Sequence, residues 1–364
     1  MKTITTAFLL TTLFIGAVYA SENFSLGLRF YSSKNYDKAR EYLQKEVVSN
    51  SSNGDAYYFL GETEKNTGHY TEAEEYYRKA VAARITRKYL SLAYWNLVVL
   101  VEQRNNVADL IRVCKEFWIR TGDERARKKI DDIINKLIWT DDQQAIDIYN
   151  EAMTLKQNGK SDPAKQKFIE AIKADPAFLA PRFEIGLMLY NSGKNAEAAQ
   201  YLKEITDKIP YYASASLLVG EIYYQTSSFE NAAKAFSNAL EFGFFDKPTQ
   251  FGAYSKLAGC YYNLRDYEKS VEYAKKALGI SGNDRDVLML LSAVNIKREN
   301  YAEALESLTK LNTLSPNDPD VLFQMGSIYY KQGNAEKYAQ YFTSLFNVAG
   351  KSGSIPAKYH KAIL

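Results

Sequence analysis

Residues 179–212, LAPRFEIGLMLYNSGKNAEAAQYLKEITDKIPYY, and 213–246, ASASLLVGEIYYQTSSFENAAKAFSNALEFGFFD, carry one pattern when set one above the other. Gly186 aligns with Gly220, and Ala198 with Ala232 twelve residues further on. Asn191-Ser192-Gly193-Lys194 is a turn-like stretch between two apolar-periodic segments, with Gly193 suited to ending a helix in the left-handed conformation. Each block therefore reads as helix, turn, helix. Two small residues at a fixed offset let the helices approach closely. Pro210 stands where the second helix should stop, because proline cannot continue a helix interior.

The same small residue recurs along the chain at Gly27, Gly61, Ala152, Gly186, Gly220, Ala258, Ser292 and Gly326, with successive gaps of 34, 91, 34, 34, 38, 34 and 34. Its companion twelve residues later is Ala39, Ala73, Ala164, Ala198, Ala232, Ser270 and Ala304, and Tyr338 takes that place in the last block. Pro176 and Pro316 repeat the stop at Pro210. A phased period of this length, with a small/small/Pro skeleton, resembles the tetratricopeptide-repeat family. The resemblance implies an all-α, right-handed α-solenoid of stacked helix-turn-helix units. Two units are expected within 21–87, and six at 145–178, 179–212, 213–246, 251–284, 285–318 and 319–350.

Two irregularities interrupt the phase. The 91-residue gap leaves room in 88–144 for a degenerate unit at 91–124 and an extra helix over Glu124–Ile138. The degenerate unit keeps Tyr94, Leu97, Cys114 and Phe117 at packing places. It has Val98 and Leu110 where small residues belong, and that bulk is expected to push its helices apart. The extra helix carries Ile130, Ile133, Ile134, Leu137 and Ile138 at helical spacing, and Arg125, Arg127, Lys128 and Lys129 crowd its start. That basic run reads first as a solvated face, second as a patch for an acidic partner or anionic lipid. A bend is expected near 118–144. Four extra residues around Gly243–Pro248 are expected to lengthen one loop between units, and residues 351–364 read as a tail.

At the other end, Lys2 precedes an apolar run from Ala7 to Val18, and Val18-Tyr19-Ala20 leads to Ser21. That order defines a secretory signal peptide over 1–20, with cleavage expected after Ala20. The run is too short to span a bilayer, for which roughly 20 apolar residues are needed, and no transmembrane segment is expected. No Cys follows it until Cys114, so the lipid-attachment Cys of a bacterial lipoprotein is missing. An exported, periplasmic protein is the expectation, with secretion to the exterior as the alternative.

Composition narrows the chemistry. With 46 basic and 43 acidic residues the chain lacks the basic excess of a nucleic-acid binder. Cys114 and Cys260 make no disulfide framework, and with only His69 and His360 no zinc cluster assembles. There is no phosphate-binding glycine loop and no nucleophile beside a base, so no catalytic residue, metal or cofactor is expected.

Binding is the expected role. In the resembled family the first helix of each unit lines a concave groove. The fifth and twelfth places of the units supply Tyr31, Tyr58, Tyr149, Phe183, Tyr190, Tyr224, Tyr262, Phe323 and Tyr330, an aromatic row drawn from a chain with 29 Tyr. The thirteenth place adds Asn191, Gln225 and Asn263 beside it. Amides pair with an extended peptide backbone, and Tyr offers contact area at low entropy cost. The places where some cytosolic members hold a partner's C-terminal carboxylate with Lys and Asn carry Tyr58, Glu62, Phe183 and Leu187, which argues against that device. The leading expectation is a non-enzymatic scaffold binding protein partners of a cell-envelope assembly, such as outer-membrane, secretion, pilus or periplasmic motor machinery. A glycan- or peptidoglycan-binding module and a self-associating subunit are the alternatives.

Overall fold

The computed structural model describes residues 21–243 and 245–351. The signal peptide expected over 1–20, Phe244 and the tail from 352 lie outside the described residues. The chain divides between Ile130 and Asp131 into two compact units. The first contains α1 (Glu22–Ser32), α2 (Tyr36–Ser49), α3 (Gly54–Asn66), α4 (Tyr70–Ala82), α5 (Arg87–Gln103) and α6 (Val107–Thr121). The dividing point falls inside α7 (Glu124–Ile138). The second unit continues with α8 (Gln143–Gln157), α9 (Ser161–Ala174), α10 (Ala180–Asn191), α11 (Asn195–Lys208), α12 (Ala213–Gln225) and α13 (Phe229–Phe242). It ends with α14 (Lys247–Asn263), α15 (Tyr267–Ile280), α16 (Arg285–Lys297), α17 (Tyr301–Leu314), α18 (Pro319–Lys331) and α19 (Ala335–Lys351). Each unit is a solenoid of helix pairs, all α.

The turn inside each pair is built the same way. Its fifteenth residue, counted from the start of the repeat, is left-handed: Lys34, Gly68, Asn105, Gly159, Gly193, Ser227, Arg265, Glu299 and Gly333, with φ between 53° and 84°. That conformation turns the next amide back to the carbonyl five residues earlier, as in His69 N–H to Glu64 O and Lys194 N–H to Leu189 O, both at 2.9 Å. Second helices then start on side-chain or backbone caps. Asn35, Asn106 and Asp266 accept from the backbone N–H three residues on. Asn105 occupies the left-handed place in the degenerate pair, so that pair keeps the common turn despite its altered packing residues.

Close approach within a pair depends on the small residue of the first helix. A Cβ on Gly61 would stand 2.7 Å from the Tyr77 ring, one on Gly186 2.6 Å from Leu202, and one on Gly220 2.8 Å from Phe236. In the degenerate pair, Val98 and Leu110 are both buried, and α5 and α6 touch less extensively than the two helices of any other repeat. Cys114 fills there the second-helix place held by Leu43 and Tyr77 in the preceding repeats.

The two parts of α7 serve different cores. In the first unit, Ala126 and Ile130 are buried, Arg125 lies 4.9 Å over the Trp95 ring, and Lys129 pairs with Glu102 at 2.6 Å. Asp123 holds Arg125 at 2.6 Å, so part of the basic run is neutralised locally. In the second unit, Ile134, Leu137 and Ile138 join the core of the first repeats, and the Ile138 carbonyl accepts from Leu179 N–H at 3.0 Å.

The four extra residues near Gly243 correct the expectation of a longer loop. Only 243–246 separate α13 from α14, the same length as 209–212 between α11 and α12. The insertion instead lengthens α14 to 17 residues, against 13 in α12 and α16. Asp246 caps it by accepting from Thr249 N–H at 2.8 Å, and Pro248 stands in its first turn, where a missing N–H costs nothing.

Candidate functional site

Within each unit the first helices of successive repeats touch, α1 with α3 and α3 with α5, and likewise α10, α12, α14 and α16. Each unit therefore has a continuous first-helix face, and the row of expected site residues lies along it.

In the first unit this face is centred on a carboxylate. Glu62 accepts from Tyr77 Oη at 2.5 Å, Asn96 Nδ2 at 2.6 Å, Lys65 Nζ at 2.9 Å and Tyr31 Oη at 3.4 Å. Tyr31 is half-buried, edge-on to Phe59 at 5.3 Å, and burial together with Glu62 pushes its phenol up to about 12. Tyr58 is only 7% exposed and stacks on Tyr89 at 5.0 Å, and burial raises its phenol far above the ordinary range.

In the second unit, Tyr149 is 8% exposed, enclosed by Trp139 at 5.2 Å, Phe178 at 5.3 Å and Phe168 at 5.5 Å. Tyr58 and Tyr149 are thus core residues, which corrects their expected place in the groove: their rings are enclosed by aromatic side chains of neighbouring elements. Phe183 is half-buried against Tyr212 at 5.2 Å, and burial and then Glu184 raise the Tyr212 phenol to about 12. Tyr224 packs forward, its hydroxyl 2.9 Å from the point a Cβ on Gly259 would occupy and its ring within the cluster around Leu257 and Cys260. Tyr190 is half-buried on the core of its own repeats. Tyr262 is half-buried 6.1 Å from Tyr267, and Phe323 half-buried 6.0 Å from Phe342. Tyr330 is 70% exposed, 5.4 Å from Tyr338.

The amides are exposed but partly engaged. Asn263 Nδ2 donates to the Gly259 carbonyl at 2.8 Å, which ends α14, and Gln225 Oε1 accepts from Asn195 Nδ2 at 2.5 Å. Asn191 is exposed. The reading by places missed the charges on this face: Lys156 pairs with Glu184 and Lys256 with Glu221, each joining the first helices of consecutive repeats. Glu62 and Glu221 share the ninth place, and that recurrence was the available clue.

The remaining reactive groups are structural. Burial pushes the Cys114 and Cys260 thiols up to about 12, leaving them protonated and unreactive. His69 caps nothing with its ring but bonds Glu64 Oε2 at 3.0 Å. No group of His, Cys, Asp and Glu suited to a metal occurs among the described residues, and none of the described helices is long and apolar enough to cross a membrane.

Stacked helix pairs presenting a continuous first-helix face define a helical-repeat scaffold of the kind that mediates protein–protein interaction. Tetratricopeptide-repeat models match residues 24–89, 149–213, 251–284 and 320–352, more than half of the sequence, and the chain belongs to the tetratricopeptide-repeat family. No curated protein matches it. Among solved structures, YrrB, described as a TPR protein with an unusual peptide-binding site, is 17% identical with a TM-score of 0.43, over 50% of this chain and 91% of its own. MamA from Desulfovibrio magneticus is 19% identical with a TM-score of 0.40, over 48% and 97%. PilF of Pseudomonas aeruginosa is 15% identical with a TM-score of 0.40, over 61% and 99%.

Proposed function

We propose that this chain is an exported, non-enzymatic scaffold of a bacterial cell-envelope assembly, holding a segment of a protein partner along the first-helix face of its second unit. The observation that carries the reading is the pairing of an accessible phenol with a polar neighbour at every second repeat of the second unit: Tyr190 with Asn191, Tyr262 with Asn263 and Tyr330 with Lys331. Rings half out of the core supply contact area without large ordering cost, and the neighbouring polar groups offer donors and acceptors to an extended backbone. The Lys2 to Ala20 pattern supports the exported destination.

Recovery of partners from envelope extract, compared between the wild type and the triple variant Tyr190→Ala, Tyr262→Ala, Tyr330→Ala, tests the groove. Loss of a recovered protein with unchanged circular dichroism is expected. Undiminished recovery, or retention by purified cell wall after proteins are stripped from it, would overturn the reading. Cell fractionation with N-terminal sequencing tests the destination: a periplasmic chain beginning at Ser21 is expected, and a cytoplasmic one beginning at Met1 would refute export.

A further inference from the structure

Three charged side chains are buried among the described residues: Glu46, Glu64 and Arg182. Two of them have a counter-ion at short range, Arg40 standing 2.6 Å from Glu64 and Glu204 2.8 Å from Arg182. Glu46, near the end of α2 and 1% exposed, has none: among the described residues its carboxylate meets neutral donors alone. Asn53 Nδ2 donates to its Oε1 at 2.8 Å, and the Ser21 hydroxyl donates to its Oε2. A carboxylate taken out of water without a cation is costly, and glutamate is almost never fully buried unless it is paired.

Glu46 also stands where three helices begin or end. Ser21 is the N-cap of α1, its hydroxyl oxygen accepting from Phe24 N–H at 3.1 Å while the same hydroxyl donates to Glu46. Asn53 is the N-cap of α3 and accepts from Ala56 N–H at 3.0 Å. The carboxylate thus ties the start of the first repeat to the start of the second. Three bonds separate the nitrogen of a serine from its hydroxyl oxygen, a distance of about 3–4 Å, so Glu46 is within reach of any charge on the Ser21 nitrogen. As an internal amide that nitrogen carries no charge. Ser21 is also the residue that removal of the leader ending at Ala20 leaves first.

We propose, resting on the export reading above, that cleavage after Ala20 creates the missing counter-ion: the α-ammonium of Ser21 pairs with buried Glu46 and locks α1 onto α2 and the start of α3. Hydrolysis adds water across the Ala20–Ser21 peptide bond. The water oxygen stays with Ala20 as its carboxylate, and both water protons end on the Ser21 nitrogen, which at neutral pH is an ammonium. Two effects then compete. A cation at a helix N-terminus opposes the helix dipole and weakens α1 about two- to fivefold. A hydrogen bond to a charged group favours the closed form about ten- to hundredfold. The pairing wins by about tenfold. The precursor, with an uncharged amide at Ser21, keeps a looser first repeat until its leader is removed.

The test compares the full chain beginning at Ser21 with the same chain acetylated at its α-amine, by hydrogen exchange of the α1 amides at pH 7. The free chain is expected to exchange about tenfold more slowly. In Glu46→Gln only the dipole remains, so the order is expected to reverse, with the acetylated chain about twofold better protected. Equal exchange of the two wild-type chains, or an undiminished advantage of the free amine in Glu46→Gln, would overturn the proposal. Should Glu46→Gln fail to fold, acylation of the α-amine at pH 7 serves in its place. Ser21 is expected to react about tenfold more slowly than the α-amine of a chain that keeps Ala20, and equal rates would overturn the pairing. Every chain is prepared with a defined start, so these outcomes stand apart from the export reading, which fails on the N-terminal sequence found in cells.

Discussion

Gly61→Ala tests whether close approach of paired helices holds the first unit together. Two effects oppose one another. Alanine gains about 1 kcal/mol over glycine inside a helix, so on propensity alone the change stabilises α3. Against this, the new methyl would stand 2.7 Å from Cε1 and 2.8 Å from Cδ1 of Tyr77. That ring cannot retreat, since Tyr77 is fully buried and its hydroxyl is held by Glu62 at 2.5 Å. Overpacking costs about 1–3 kcal/mol, and a pinned ring places this site near the upper end, for a net loss of about 2 kcal/mol. Hydrogen exchange in α3 and α4 reads that loss locally as protection lowered about 30-fold. In a Tyr77→Ala background the penalty should vanish and only the propensity gain remain. Gly252→Ala is the control: nothing lies within 4 Å of the added methyl, so α14 should become about fivefold better protected. Unchanged or increased protection of α3 in Gly61→Ala would refute the packing account.

Ser227→Gly should stabilise the α12–α13 turn by about 1 kcal/mol, because a non-glycine residue there holds φ at 59°, while Gly193→Ala at φ 76° should destabilise its own turn by a similar amount; urea unfolding checks both. Cys114 and Cys260 should resist a thiol reagent at pH 8 in the native chain and react fully in denaturant, since burial keeps both protonated. Burial by itself would raise the Glu64 carboxyl, but hydrogen bonds from Arg40 and His69 outweigh it and hold it below its ordinary 4.5. A depressed folded pKa gives stability that is present above the unfolded value and lost as pH falls through the folded one. Wild-type first-unit stability should therefore drop below pH 4.5 more steeply than that of Glu64→Gln, as followed by thermal melting against pH. Arg40→Ala, which leaves Glu64 buried without its main partner, should cost about 2 kcal/mol at pH 7.

Repeat boundaries, turns and the small residues of close approach were legible because each is enforced locally and then again one period later. Gly186 and Ala198 carry little information alone, but the same offset between Gly220 and Ala232 makes it a pattern. Site residues were less legible. Tyr58, Tyr149 and Phe183 occupy one place in their repeats, yet Trp139 and Phe178 close over Tyr149, whereas Phe183 stays half exposed. Which ring ends up covered depends on neighbours from other helices, and no periodicity within the helix reports them.

The insertion near Gly243 shows the same division. Its length was readable from the shift of phase, but Asp246 and Pro248 together start a helix there, so the extra residues went into α14 rather than a loop. The amino-acid order thus determined the helix pairs and their stacking, since these rest on propensity, turn conformation and small residues at fixed offsets. Only the tertiary structure decided which phenols remain accessible and how Glu62 is held. Those depend on burial and on side chains a repeat or more apart, and the physical cause of each is a neighbour rather than a sequence position.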